Sequence, residues 1–319
     1  MRSSIVLRSS LFLVTAFLFA ACDDGSRPTP YADVDIAGPL VVPPQTNVNV
    51  SNTTLAIFDN NEVSPGDALS LVWREEFDGD ALDPRTWFFE TGDGSEYGIP
   101  GWGNNELQYY LPDNAQLENG LLKITARAEE IGPFNYTSAR INTRDRLAFR
   151  YGRIEARMRL PGGQGLWPAF WMLAQDSPYG IWAASGEIDI MEAVNLGGAG
   201  GNLVYGTIHY GGEFPNNLST GQSYLVPSSA QDEFHIYAIE WDAGEIRWYV
   251  DDVLYAMQNN WSSTGGDFPA PFDQPFYIIF NVAVGGNFPG SPNASTVFPV
   301  TMEVDWVRVY SGQPPAASN

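Results

Sequence analysis

Cysteine is almost absent. The one thiol in 319 residues, Cys22, has no partner for an internal disulfide and rules out a cysteine-rich zinc site. Histidine is nearly as scarce: with only His209 and His235, a multi-histidine metal centre is not expected. Lysine occurs once, at Lys123, and 16 basic residues stand against 38 acidic ones for a net charge of -22. A field of that sign repels phosphate backbones, so nucleic acid is not an expected partner. Anionic membrane surfaces and sulfated polysaccharides are disfavoured for the same reason. No run of 18 apolar residues occurs, so no transmembrane helix is expected. No long amphipathic helical pattern is visible, and no repeat of fixed period, which counts against a propeller.

What remains is rich in apolar residues, at 44%, and in turn formers, with 32 glycines and 23 prolines. A packed core is therefore within reach, in one large domain or two small ones. At the start, Arg2 and Arg8 accompany an apolar stretch over residues 11–21. That stretch is too short to span a bilayer and suits a signal core. Leu18-Phe19-Ala20-Ala21-Cys22 resembles a bacterial lipobox, with Phe19 where leucine is usual. Residues 1–22 are thus expected to direct export, with Cys22 lipidated after cleavage. The chain would then meet a membrane only through that lipid, at the cell surface or on the periplasmic face; without it the protein would be secreted. Residues 23–67, with Pro43-Pro44 and Asn60-Asn61, read as a flexible tether holding at most a short strand near residues 55–58. Residues 68–311 read as one catalytic domain and 312–319 as a tail.

The domain is patterned for strands. Over residues 153–160, Ile154, Ala156, Met158 and Leu160 share one face and Arg153, Glu155, Arg157 and Arg159 the other. Residues 245–250 and 253–255 flank Asp251-Asp252 as a hairpin. Residues 276–284 form an almost unbroken apolar run, as for a strand covered on both faces, and residues 121–128 and 301–310 add two more. Short strands with Gly/Pro turns over this length indicate an all-β sandwich or barrel.

The chemistry centres on Gly186-Glu187-Ile188-Asp189-Ile190-Met191-Glu192. Strand alternation puts Glu187 and Asp189 on one face and Glu192 on the other. One extra residue, a β-bulge at Ile190-Met191, would return Glu192 to the first face. Three carboxylates so close should raise at least one pKa. Paired carboxyls with separated pKa values are the machinery of glycoside hydrolysis. The same pattern also suits an acidic edge strand, or a calcium site built from carboxylate oxygens. Trp167 and Trp171, four apart, would share a strand face and stack on sugar rings, or else simply fill a core. Asn104, in Gly101-Trp102-Gly103-Asn104-Asn105-Glu106, carries an amide suited to hydroxyls or to ordinary turn chemistry.

These motifs together resemble glycoside hydrolase family 16, in particular its laminarinase-type endo-β-1,3-glucanases. The acidic motif matches the bulged form of that family's active-site strand. Further matches include Glu76-Phe77-Asp78-Gly79, residues 102–110, Tyr151-Gly152-Arg153-Ile154-Glu155-Ala156-Arg157 and Gly165-Leu166-Trp167-Pro168-Ala169-Phe170-Trp171. Residues 281–286 and 305–310 complete the set. The resemblance implies a β-jelly-roll sandwich of two curved antiparallel sheets with a concave substrate cleft. It implies a retaining double displacement with Glu187 as nucleophile, Glu192 as general acid/base, and Asp189 hydrogen-bonded to Glu187. Trp167, Trp171, Asn104, Arg144 and His209 match the family's glycone-side contacts. Asp305, with backbone oxygens near Glu76 and Gly120, matches a structural calcium site; no cofactor is implied for the chemistry itself. The expected partner is a β-glucan, met by a monomer. Mixed-linkage glucan or a marine galactan as substrate, transglycosylation, and a non-catalytic glucan-binding surface lipoprotein are the alternatives. The last is disfavoured because Glu187, Asp189 and Glu192 are all present.

Overall fold

The computed structural model describes residues 48–50, 53–60 and 69–312. The export segment, Cys22 and residues 313–319 lie outside them. Among the described residues, nearly all strands belong to two large sheets, and helix is confined to four 3-10 turns of three or four residues.

The larger sheet runs, from neighbour to neighbour, Val48–Val50, Thr53–Asp59, Leu147–Arg150, Phe276–Val284, Leu166–Ala174, Glu187–Glu192, Leu203–Tyr210 and Leu218–Leu225. Arg140–Asn142 pairs with Phe276–Val284 and carries Phe88–Glu90. The smaller sheet runs Val253–Gln258, Ile246–Val250, His235–Trp241, Gly152–Arg159, Val300–Ser311, Leu121–Ala126 and Ala115–Glu118, with Ser70–Glu75 also on Val300–Ser311. Pairing is antiparallel throughout except where Thr53–Asp59 lies parallel to Leu147–Arg150, and in the small sheet of Gln108–Tyr110 with Tyr136–Ser138. This is the jelly-roll sandwich that the motifs imply.

The core lies where the inner faces meet. Phe170, Met172, Ile188, Ile208, Ile278 and Phe280 from the larger sheet pack with Leu122, Ile124, Ile154, Ala156, Met158 and Trp248 from the smaller. Alternation in Gly152–Arg159 explains its place: Ile154, Ala156 and Met158 are fully buried, while Arg157 and Arg159 pair with Asp305 and Glu303 on the neighbouring strand. Arg153 is also buried, on the outer face. It is satisfied there by Glu155, Glu240 and Asp252 at 2.7, 3.2 and 2.7 Å. All nine residues of Phe276–Val284 are buried, as expected of a central strand covered on both faces. The hairpin forms between Ile246–Val250 and Val253–Gln258, with Asp251 and Asp252 both at positive φ, the geometry of a tight two-residue turn.

Near residues 55–58, where a short strand is expected, Thr53–Asp59 takes a place in the larger sheet, with Leu55 and Phe58 buried and Phe58 stacked on Phe149 at 5.5 Å. Its parallel partner is some 90 residues away in the chain.

Candidate active site

The acidic strand begins at Gly186, whose φ of +89° is rarely adopted by L side chains and whose added Cβ would meet Phe272 and Phe276 at 3.0 Å. A glycine there lets the 3-10 turn Trp182–Ser185 pass directly into Glu187–Glu192. Register then shows the extra residue. Asp189 pairs with Thr207 but Glu192 pairs with Tyr205; on the other side Trp171 pairs with Asp189 while Phe170 pairs with Met191. The bulge turns Ile190 and Met191, with Ile188, into the core, all buried to 1% or less. Glu187, Asp189 and Glu192 remain on the other face.

Each carboxylate is held. Trp182 Nε1 donates to Glu187 Oε2 at 2.8 Å, and Trp167 Nε1 donates to Glu192 Oε1 at 2.9 Å. His209, directly opposite Glu187 in register, places Nε2 3.5 Å from Glu187 and 3.3 Å from Asp189. His209 is thus the contact shared by Glu187 and Asp189. Among the described residues, these three are the one group of His, Cys, Asp and Glu side chains close enough to share a cation.

The charges perturb one another strongly. Burial, and then the Asp189 carboxylate, push Glu187 up to about 7, while His209, the Trp182 indole and Arg140 pull it back. Burial, Asp189 and Glu187 together push Glu192 well above the usual carboxylate range. At His209 burial opposes the charge, but Glu187, Asp189 and Glu192 outweigh it and raise the imidazolium to about 10. At neutral pH the site therefore holds a cationic histidine and a Glu187 poised to ionise, beside a Glu192 whose hold on its proton is strengthened by burial and by Asp189 and Glu187.

Trp171 is half-buried beside these groups. Its Nε1 donates to Asn281 Oδ1 at 2.8 Å, Asn281 Nδ2 donates to the Tyr110 hydroxyl at 3.2 Å, and that hydroxyl donates to Glu106 at 3.2 Å. Asn104 Nδ2 donates to the other oxygen of Glu106 at 3.1 Å. Trp171 and Asn104, far apart in the chain, are thus two ends of one buried network. Burial lifts the Glu106 carboxyl, and the donors from Asn104, Gln108 and Tyr110 oppose that. Arg144 is exposed, its guanidinium 5.9 Å from the Tyr277 ring.

Several groups at the site were not signalled by the motifs. Arg140 is buried between the rings of Trp102 and Trp171, at 4.5 and 4.8 Å, and paired with Glu90. Trp182 was invisible because a turn, rather than a strand period, brings it back onto Glu187. Tyr205, opposite Glu192, packs its ring against Phe288 at 5.4 Å, and Phe288 packs against Trp167 at 5.5 Å.

The three residues of the calcium match lie at the smaller sheet. Asp305 is the extra residue where Val300–Ser311 slips register against Gly152–Arg159, Arg157 pairing with Trp306 and Met158 with Val304. The next strand on its other side is interrupted there: Ser70–Glu75 stops opposite Val307 and Leu121–Ala126 starts near Val304. Glu76 and Gly120 are the residues next after and next before those two strand ends. The Asp305 carboxylate meets Arg157, and that of Glu76 meets Arg308.

Comparisons with known proteins agree with this geometry. The family model for Glycosyl hydrolases family 16 matches residues 102–308. The chain is 44% identical over 264 residues to Glucan endo-1,3-beta-glucosidase A1 of Niallia circulans, covering 77% of this chain and 38% of that protein. It is 45% identical over 252 residues to Beta-glucanase of Rhodothermus marinus, covering 75% of this chain and 84% of that one. The laminarinase catalytic domain from Thermotoga maritima MSB8 superposes with a TM-score of 0.70 at 41% identity, over 77% of this chain and all of that domain.

The Trp182 contact gives a direct expectation. Its N–H favours the charged form of Glu187, so Trp182→Phe should move the Glu187 titration midpoint above its value of about 7. A 13C-carboxyl NMR titration reads that shift; a midpoint that falls or stays put would contradict it.

Proposed function

Because the chain belongs to glycosyl hydrolases family 16, we propose that it cleaves β-1,3-glucan within the chain by a retaining double displacement. It is a glycoside hydrolase by family; the linkage and the residue roles are our reading. The observation that carries it is the bulge, which sets Glu187 and Glu192 on one face beneath tryptophans with their carboxyls pushed up to different degrees.

Glu192, whose proton is held more tightly by burial and by its carboxylate neighbours, is suited to give it to the glycosidic oxygen. Glu187, poised to ionise near neutral pH, attacks the anomeric carbon, forming a glycosyl ester. Glu192, now a carboxylate, takes a proton from the water that displaces Glu187, which restores both groups. Asp189 acts on Glu187 by its charge and through their shared contact, His209. The imidazolium balances the two carboxylates; with its pKa raised to about 10 it stays charged and serves as a hydrogen-bond donor. Trp167 and Trp171 offer ring faces to the C–H surfaces of the sugar, with Asn104 and Arg144 at the edges of the same region.

Two further parts of the reading concern stability and location. A structural calcium at Asp305 would use that carboxylate with backbone oxygens near Glu76 and Gly120, a donor set suited to a hard cation. It would steady the gap between the two strand ends and take no part in bond cleavage. Lipidation at Cys22, outside the described residues, would anchor the enzyme to a membrane.

The first test is reducing-end release from laminarin, with Glu187→Ser as control. Turnover by the wild type alone is expected, with the variant still folded and still binding glucan. Turnover by Glu187→Ser would remove that residue from the nucleophile's role. An inert but folded wild type would shift the substrate to mixed-linkage glucan or a galactan. Chelation by EDTA should lower the melting temperature by a few degrees if calcium is bound; an unchanged melting curve after calcium is added back and removed again excludes the site. A diacylglyceryl mass increment on a mature chain beginning at Cys22 checks the anchor, and its absence excludes it.

A further inference from the structure

We infer that Trp248, on the facing sheet and away from the cleft, is a positioning residue for the catalytic carboxylates. This rests on the reading of Glu187 and Glu192 as the working pair. In a regular ladder a backbone carbonyl points along its own sheet toward a neighbouring strand. The Asp189 carbonyl is instead met from across the sandwich: Trp248 Nε1 donates to it at 2.8 Å, inside the core. Trp248 is itself fully buried. The contact falls where the acidic strand leaves register, between Asp189 and Glu192. A bulge leaves a residue outside the ladder and lets the strand bend locally. A buried carbonyl without a partner would be costly. The indole N–H answers that carbonyl and ties the bulged strand to the rigid floor beneath it.

The neighbouring strand is shaped for this contact. Gly206 lies between Thr207, opposite Asp189, and Tyr205, opposite Glu192. A Cβ at Gly206 would come within 2.3 Å of Trp248 Cδ1 and 2.6 Å of the Tyr255 hydroxyl. Its missing side chain is the space through which the indole passes. Tyr255 sits at a second register break, where Trp248 pairs with Ala256 and Tyr249 with Leu254. Two bulges thus face each other across the core, with Trp248 between them. Glu187 and Glu192 lie on either side of the pinned residue, so the spacing of their carboxyls depends on it.

The test is Trp248→Phe, which keeps most of the ring volume and deletes the donor. Its control is Trp241→Phe, because Trp241 is equally buried but donates to Phe272 at 3.2 Å, away from the bulge. In Trp248→Phe, kcat on laminarin should fall about tenfold or more with KM little changed. The Glu187 and Glu192 midpoints should also move in a 13C-carboxyl titration. Trp241→Phe should lose comparable thermal stability while keeping wild-type kcat and midpoints. Gly206→Ala should reproduce the Trp248→Phe pattern by displacing the ring. If Trp248→Phe does not fold, benzothienylalanine at position 248 retains the shape of the indole without its N–H and replaces it. A folded, donor-free protein with unchanged kcat and unchanged carboxyl midpoints overturns the inference. The titration needs no substrate, so a wild type inert on laminarin would refute the proposed substrate and leave this test decisive.

Discussion

The site depends on one extra residue in a strand. Regular alternation cannot set Glu187, Asp189 and Glu192 on a common face, because the third lies an odd number of residues from the other two. The bulge at Ile190-Met191 repairs the parity. It also turns two large apolar side chains into the core, so burial of Ile190 and Met191 opposes any tendency of the strand to return to register. Hydrophobic packing on one face thus holds a charge arrangement on the other that the charges alone would oppose.

That repulsion is managed rather than removed. His209 supplies the one nearby cation that touches two of the carboxylates, and Trp182 and Trp167 each donate to one of the glutamates. Arg140 adds positive charge from beneath Trp171, kept in place by Glu90. The residual repulsion appears as raised proton affinity at both glutamates. An acid that keeps its proton beside a nucleophile that can lose its own is what double displacement requires. Trp167, one of the two tryptophans read as stacking on sugars, is also a donor to Glu192, so substrate recognition and carboxyl ionisation are joined in that side chain.

Much of this was legible in the chain. The strand over 276–284, the alternation in 153–160 and the hairpin at Asp251-Asp252 follow from local patterns, because each is a short-range consequence of burial or turn geometry. The bulge was legible too, from the spacing of three carboxylates. Arg140 and Trp182 were not, because nothing in their immediate neighbours sets them apart. Arg140 owes its role to Trp102 and Trp171, which converge on it from separate strands and turns. Glu106 became part of the site through Tyr110 and Asn281. Arg144, chosen by motif, lies at the margin over Tyr277, since a match in motif carries no information about where a long exposed side chain settles.

Taken alone, the sequence determined the class of fold, the acidic strand and its bulge, and the residue types able to do carbohydrate chemistry. These are properties of spacing and composition, and a strand's period is local. Tertiary structure decided how far the carboxyls of the site are driven toward holding their protons, because that depends on burial and on charges brought from other strands. It also decided that Thr53–Asp59 belongs to the larger sheet and that Trp248 reaches the Asp189 carbonyl from the opposite one. Both are contacts between residues at least 59 positions apart: the first needs strands distant in the chain to pair within one sheet, and the second needs the two sheets to close on a shared core.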